Sequence, residues 1–149
     1  MKKNLERYYY EQQDDFSCGP SCIKMLADYK KVKYKNFAEL VKICNCHKKD
    51  GTTHKGIKNA LDTLKLINHR NQYLDKQKRS IIFLDTILFL QHIFIIRTLT
   101  KKEKHWAIIY KKVRNKYFVA DPWLGLITYN EKQLLAVWRP RAFDGFVVA

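Results

Sequence analysis

Two periods of apolar residues divide the chain. Up to about residue 80 the spacing is helical. Cys22, Met25, Leu26 and Tyr29 fall at i, i+3, i+4 and i+7, one face of a helix. Gly19 and Pro20 stand at its start, where proline is tolerated because first-turn amides lack an intrahelical partner. Asn36 is placed to cap a second helix with Phe37, Leu40, Val41 and Cys44 on one side. A loop with Asp50, Gly51, Thr52 and Thr53 follows, and then Ile57, Ala60, Leu61 and Leu64 predict a third helix. Beyond residue 90 the runs are β-rich: 93–98, 106–110, 116–120 and 126–129, separated by basic or turn-like segments. Residues 131–137 read as a short last helix closing at Trp138. Helices first and a meander of strands afterwards predict an α+β fold with an antiparallel sheet.

The run 81–96, IIFLDTILFLQHIFII, is the one stretch that resembles a membrane span. It is 16 residues long and carries Asp85, Gln91 and His92. A span needs ~20 mostly apolar residues, so buried core elements are expected, with His92 a satisfied core histidine. The N-terminus is polar and has no apolar segment of a signal peptide. The end, FDGFVVA, reads as a cut inside a longer chain as much as a natural terminus.

Composition narrows the class. A chain of 149 residues suits one domain, 1–149. Apolar residues at 46% exclude a disordered chain. The formal net charge of +15 predicts attraction to an anionic partner. Of the 29 basic residues 22 are Lys and seven are Arg, and they are scattered apart from clusters at 30–35 and 101–104. Few Arg and no recognised motif argue against a nucleic-acid-binding domain.

Reactive groups concentrate at three places. Cys18 lies before Gly-Pro at a predicted helix start, where the positive end of the helix stabilises a thiolate nucleophile. His105 opens the strand HWAIIY, and Asp121 closes the next strand, YFVADPW. In adjacent antiparallel strands the start of one lies beside the end of the other, so the two become neighbours. An acid beside a histidine fixes its tautomer and supports the imidazolium. Gln12, six residues before Cys18, is placed to complete an oxyanion hole with the Cys18 amide, and Gln13 competes for the role. Trp106 and Trp123 flank His105 and Asp121 and read either as cleft walls or as core aromatics. Tyr8, Tyr9 and Tyr10 read either as a substrate contact or as cover for the helices. Cys44, Cys46, His47 and His54 invite a zinc reading, but the spacing lacks a matching second pair. Cys44 as helix core and Cys46 as an exposed thiol is the better reading, so neither metal nor cofactor is expected.

Taken together these stretches resemble the double-glycine leader peptidases, the bacteriocin-processing, papain-like cysteine peptidase domains at the N-terminus of certain ABC exporters. The matching segments are Q-x5-C-G at Gln12, Cys18 and Gly19, the GTTHKGIKNAL run from Gly51, HWAIIY, ADPWLG and Trp138. They cover about residues 8 to 140. The resemblance implies N-terminal helices packed on a C-terminal antiparallel sheet. It implies Cys18 as nucleophile, His105 as base, Asp121 as its orienter and Gln12 as oxyanion donor. Ser17 stands where the family usually has an acid, and GPSC is less typical than G-x-A-C. The implied substrate is a secreted precursor peptide, bound by its helical leader and cut after a double-glycine-type site. The implied location is the cytoplasm, at the membrane face if the exporter's transmembrane and ATP-binding parts follow. Two other readings stay open: a non-cleaving, peptidase-like cargo-binding domain, and another papain-like amide hydrolase.

Overall fold

The computed structural model describes residues 4–66, 77–100, 103–141 and 143–148. Three helices come first: α1 (Cys18–Lys30), α2 (Phe37–Ile43) and α3 (His54–Thr63). Their starts follow from local chemistry. The Asn36 side chain accepts from the Glu39 amide, and Thr53 accepts from the Gly56 amide. Glycines then set how closely the helices approach. A Cβ on Gly19 would run into the Thr52 side chain, and one on Gly56 into the Cys44 carbonyl oxygen. The 51–56 segment is therefore wedged between the start of α1 and the end of α2.

The run 81–96 divides into two elements, α4 (Gln77–Phe89) and β1 (Ile93–Thr100). Only part of it is core. Leu84, Ile87 and Leu88 are buried, whereas Phe89 is 85% exposed and Ile82 and Leu90 are also exposed. His92 sits half-buried in the turn between the two elements rather than in the core. A period-free apolar run does not reveal which of its residues meet a neighbour.

The sheet adds β2 (Glu103–Val113), β3 (Lys116–Asp121), β4 (Gly125–Tyr129) and β5 (Gly145–Val148), with α5 (Glu131–Trp138) between β4 and β5. All pairings are antiparallel, in the order β4-β3-β2-β1-β5. The final apolar segment is thus an edge strand on β1. Strand β2 starts earlier than expected, so His105 is its third residue, opposite Thr98. Of the basic cluster 101–104, Lys101 and Lys102 lie outside the described residues.

Two apolar clusters hold the layers together. One joins α1, α2 and α3 to a face of the sheet through residues such as Ile23, Leu26, Leu61, Ile95 and Ile108. The other seats α4 and α5 against the opposite side through Leu84, Leu134, Trp138, Phe94 and Ile109. Helices therefore cover both faces, an α+β arrangement in which α1 and β2 are in contact. Among the described residues no helix is long and apolar enough to cross a membrane.

Candidate active site

The site forms where the start of α1 meets β2 and the end of β3. Ser17 occupies the N-cap position of α1 but makes no side-chain cap, and its buried Oγ has no partner. Pro20 has no amide hydrogen, so the Cys18 and Gly19 amides are the donors of this turn. The loop that delivers Cys18 is held by Asp14, whose Oδ1 accepts from the Phe16 amide at 3.1 Å and the Ser17 amide at 2.8 Å. Cys18 itself is buried.

His105 is 2% exposed and Asp121 is 1% exposed. His105 Nε2 and Asp121 Oδ1 are 2.6 Å apart. The same oxygen accepts from the Trp123 amide at 2.8 Å and the Leu124 amide at 3.0 Å. An oxygen that accepts so many donors is a carboxylate oxygen, so Nε2 carries the proton. That leaves Nδ1 on the side away from the carboxylate, and the Cys18 thiol is among the groups that raise the pKa of the ring. Burial works against an imidazolium here. Asp121 and Cys18 outweigh it, and the His105 pKa is pushed up to about 9.

The other expected residues are also resolved by geometry. The Gln12 amide N–H donates to Pro122 O at 2.9 Å, which ties the segment before α1 to the loop after β3. Gln12 Nε2 donates to Asp14 O at 2.6 Å. A side-chain amide has two N–H groups, so this bond orients Nε2 and leaves a second donor. Gln13 is exposed and donates back to Glu11 O, away from this loop. Trp123 covers the histidine, with ring centroids 5.7 Å apart. Trp106 does not line the cleft. It is buried, donates Nε1 to Thr52 O at 2.8 Å and stacks on Phe146. Its flanking position in sequence is undone by strand alternation, which turns neighbouring side chains to opposite faces.

The remaining groups separate. Cys46 is buried, not exposed, and its Sγ lies 3.4 Å from Phe16 O. His47 is exposed beside Asn45, and His54 pairs with Asp144 at 2.7 Å. Among the described residues no three His, Cys, Asp or Glu side chains gather to hold a metal. Of the tyrosines, Tyr9 donates to Asp121 O at 2.8 Å, while Tyr8 meets Tyr29 and Tyr10 meets Phe37. The triple tyrosine therefore covers α1 and the end of β3. The supporting roles of Asp14 and Thr52 have no signature in sequence beyond the commonness of Asp before a helix, because their partners include loop amides and carbonyls that any residue could supply.

Comparison with known proteins gives a consistent result. Residues 6–142 match the model of the Peptidase C39 family. The structure is similar to the peptidase domain of Streptococcus ComA, a bi-functional ABC transporter involved in a quorum sensing pathway. The TM-score is 0.73 at 20% identity, over 93% of this chain and 94% of that one. It is similar to a double glycine motif protease from an AMS/PCAT transporter, solved in complex with the leader peptide. There the TM-score is 0.67 at 11% identity, over 94% and 88% of the chains. The peptidase domain of Streptococcus mutans ComA gives 0.60 at 17% identity, over 95% and 99%. No curated protein matched the sequence.

Proposed function

The chain belongs to the Peptidase C39 family, and from that premise we propose that it is a cysteine endopeptidase that removes the leader of a secreted precursor peptide after a double-glycine-type site. The observation that carries the reading is the buried pair of His105 Nε2 and Asp121 Oδ1, 2.6 Å apart, on a ring whose pKa is raised by that carboxylate and by Cys18 at the start of α1. The ABC-transporter context of the similar domains supports a cytoplasmic site of action, with the transmembrane and ATP-binding parts of an exporter as partners. Residues 1–149 then act as one peptidase domain. The leader binds as an amphipathic helix in an apolar groove, as helical peptides commonly do.

The chemistry follows from proton positions. With His105 protonated, Cys18 is the thiolate, and its Sγ attacks the carbonyl carbon of the second glycine. The carbonyl oxygen becomes an oxyanion facing the Cys18 amide and the remaining Gln12 Nε2–H. As the C–N bond breaks, His105 gives its Nδ1 proton to the leaving amine, which departs as the N-terminus of the cargo. The leader remains as a thioester on Cys18. A water then loses a proton to His105 and attacks the thioester carbonyl. The leader leaves with a new carboxylate, and the thiolate–imidazolium pair returns. Asp121 holds the ring throughout, and Trp123 shields their bond from water.

The test is incubation of wild type and Cys18→Ala with peptides bearing a Gly-Gly leader joined to a cargo, with products weighed by mass spectrometry. Wild type is expected to cut after the second glycine and Cys18→Ala to leave the peptide intact. If wild type spares a panel of such leaders, the double-glycine specificity is wrong. Cutting by Cys18→Ala removes the nucleophile assignment.

A further inference from the structure

Of the three consecutive tyrosines, Tyr9 reaches the His105–Asp121 pair from outside it. Its hydroxyl donates to the backbone oxygen of Asp121 at 2.8 Å. That bond meets a need set by the sheet. On this side the last paired positions of β2 and β3 are Ile108 and Ala120. Asp121 and His105 therefore meet beyond the end of that ladder. The turn that follows is wrapped on Asp121 itself, because Oδ1 accepts from the Trp123 and Leu124 amides. The direction of the carboxylate thus depends on where the Asp121 backbone is held.

The segment before α1 does this holding, and it is itself anchored to β2. Residues Leu5–Tyr8 form a short 3-10 turn, and the Tyr9 amide donates to Glu6 O at 3.2 Å. Tyr110, on the same strand as His105, donates its hydroxyl to Glu6 Oε1 at 2.8 Å. Further along the segment, the Gln12 amide donates to Pro122 O at 2.9 Å. A circuit closes. Strand β2 holds the turn through Glu6, the turn presents Tyr9, Tyr9 holds Asp121, and Asp121 holds His105 on β2. The Tyr9 ring is partly buried against the apolar cluster of the first three helices, which limits where its hydroxyl can point. Burial and the neighbouring Glu11 and Asp121 charges push its pKa up to about 12, so the hydroxyl keeps its proton through the neutral range.

We propose that Tyr9 is a positioning residue of the peptidase, which holds the Asp121 carbonyl and thereby aims the Asp121 carboxylate at His105. This rests on the peptidase reading and adds to it a residue that acts through Asp121. The hydroxyl is the working part. The ring packs, and the bond to the carbonyl sets the distance between carboxylate and imidazole.

The experiment compares wild type, Tyr9→Phe and Tyr8→Phe. Phenylalanine keeps the ring and removes the hydroxyl, and Tyr8 meets Tyr29 through its ring. The His105 ring is titrated by NMR without substrate, and kcat and KM are measured on a Gly-Gly leader peptide. Wild-type His105 should titrate at about 9. In Tyr9→Phe the titration should move to lower pH. There kcat should fall about fivefold at unchanged KM, the scale of one neutral hydrogen bond. Tyr8→Phe should match wild type in each measurement. A His105 titration that stays in place in Tyr9→Phe overturns the proposal even if the melting temperature drops, because a tyrosine that only packs lowers stability without moving the ring's titration. An equal shift in Tyr8→Phe overturns it as well. Failure of wild type to cut any Gly-Gly leader is instead a failure of the peptidase reading, and the substrate-free titration then still decides whether Tyr9 aims Asp121.

Discussion

At the residue scale the account rests on how Asp121 and Cys18 act on one imidazole. The raised pKa of His105 has two consequences with the same sign. Protonation is favoured in the folded state, so the associated stability is fully present below the unfolded-state value of about 6.5. It is lost as pH rises through about 9. Melting temperatures of wild type and His105→Gln, followed from pH 6 to 10, should therefore converge on the alkaline side. The thiolate–imidazolium pair needs the same proton, so kcat/KM should fall as pH rises through about 9. Asp121→Asn removes the largest upward influence on the ring and should draw that alkaline limb to lower pH. It should also cost about 10²-fold or more in kcat, the usual worth of a positioned acid–base group. An alkaline limb that stays in place in Asp121→Asn would break the link between the carboxylate and the histidine. The nearness of His105 and Asp121 was legible in sequence because one lies near the start of β2 and the other at the end of the adjacent β3. The exact work of Gln12 was not, since its orientation comes from the Asp14 carbonyl and the Pro122 carbonyl, two loop groups with no sequence code.

Elements are where periodicity and caps served best. The helical faces at Cys22–Tyr29 and Ile57–Leu64, and the Asn36 cap, are all present as expected. Strand β5 was invisible, because four apolar residues carry no period and their pairing with β1 joins positions some 50 residues apart. Cys46 was read as exposed because the burial of a residue just past α2 depends on the 16–18 loop folding over it. Helix packing gives two further predictions. Gly56→Ala places a methyl against the Cys44 carbonyl oxygen. It should cost about 1–3 kcal/mol, read as a lower denaturant midpoint, and it should slow cleavage by displacing Thr52 from α1. Asn130→Ala breaks both halves of the box that starts α5, in which Asn130 and Gln133 satisfy each other's amides. The expected loss is about 1 kcal/mol with kcat unchanged, because α5 packs through Leu134 and Trp138 in the apolar cluster on the side of the sheet opposite α1. A change in kcat without a change in stability would contradict that separation.

For the whole molecule, the sheet does the positioning. His105 on the central strand β2 and Asp121 on its neighbour β3 meet across the two strands. The net charge of +15 gives the molecule as a whole an attractive field for acidic peptides. Raising ionic strength from about 0.01 M to 0.5 M should therefore reduce kcat/KM for an acidic leader far more than for a neutral one. Equal responses would remove charge from the recognition. The central claim, that the Cys18 sulfur carries the leader as an acyl group, is tested most directly by trapping. Protein mixed with a Gly-Gly leader peptide is quenched in acid within one turnover, weighed intact and then mapped by proteolysis. The added mass should equal the leader acyl group and should lie on Cys18. Release of cargo with no added mass, or with the adduct on Cys22, Cys44 or Cys46, would contradict it.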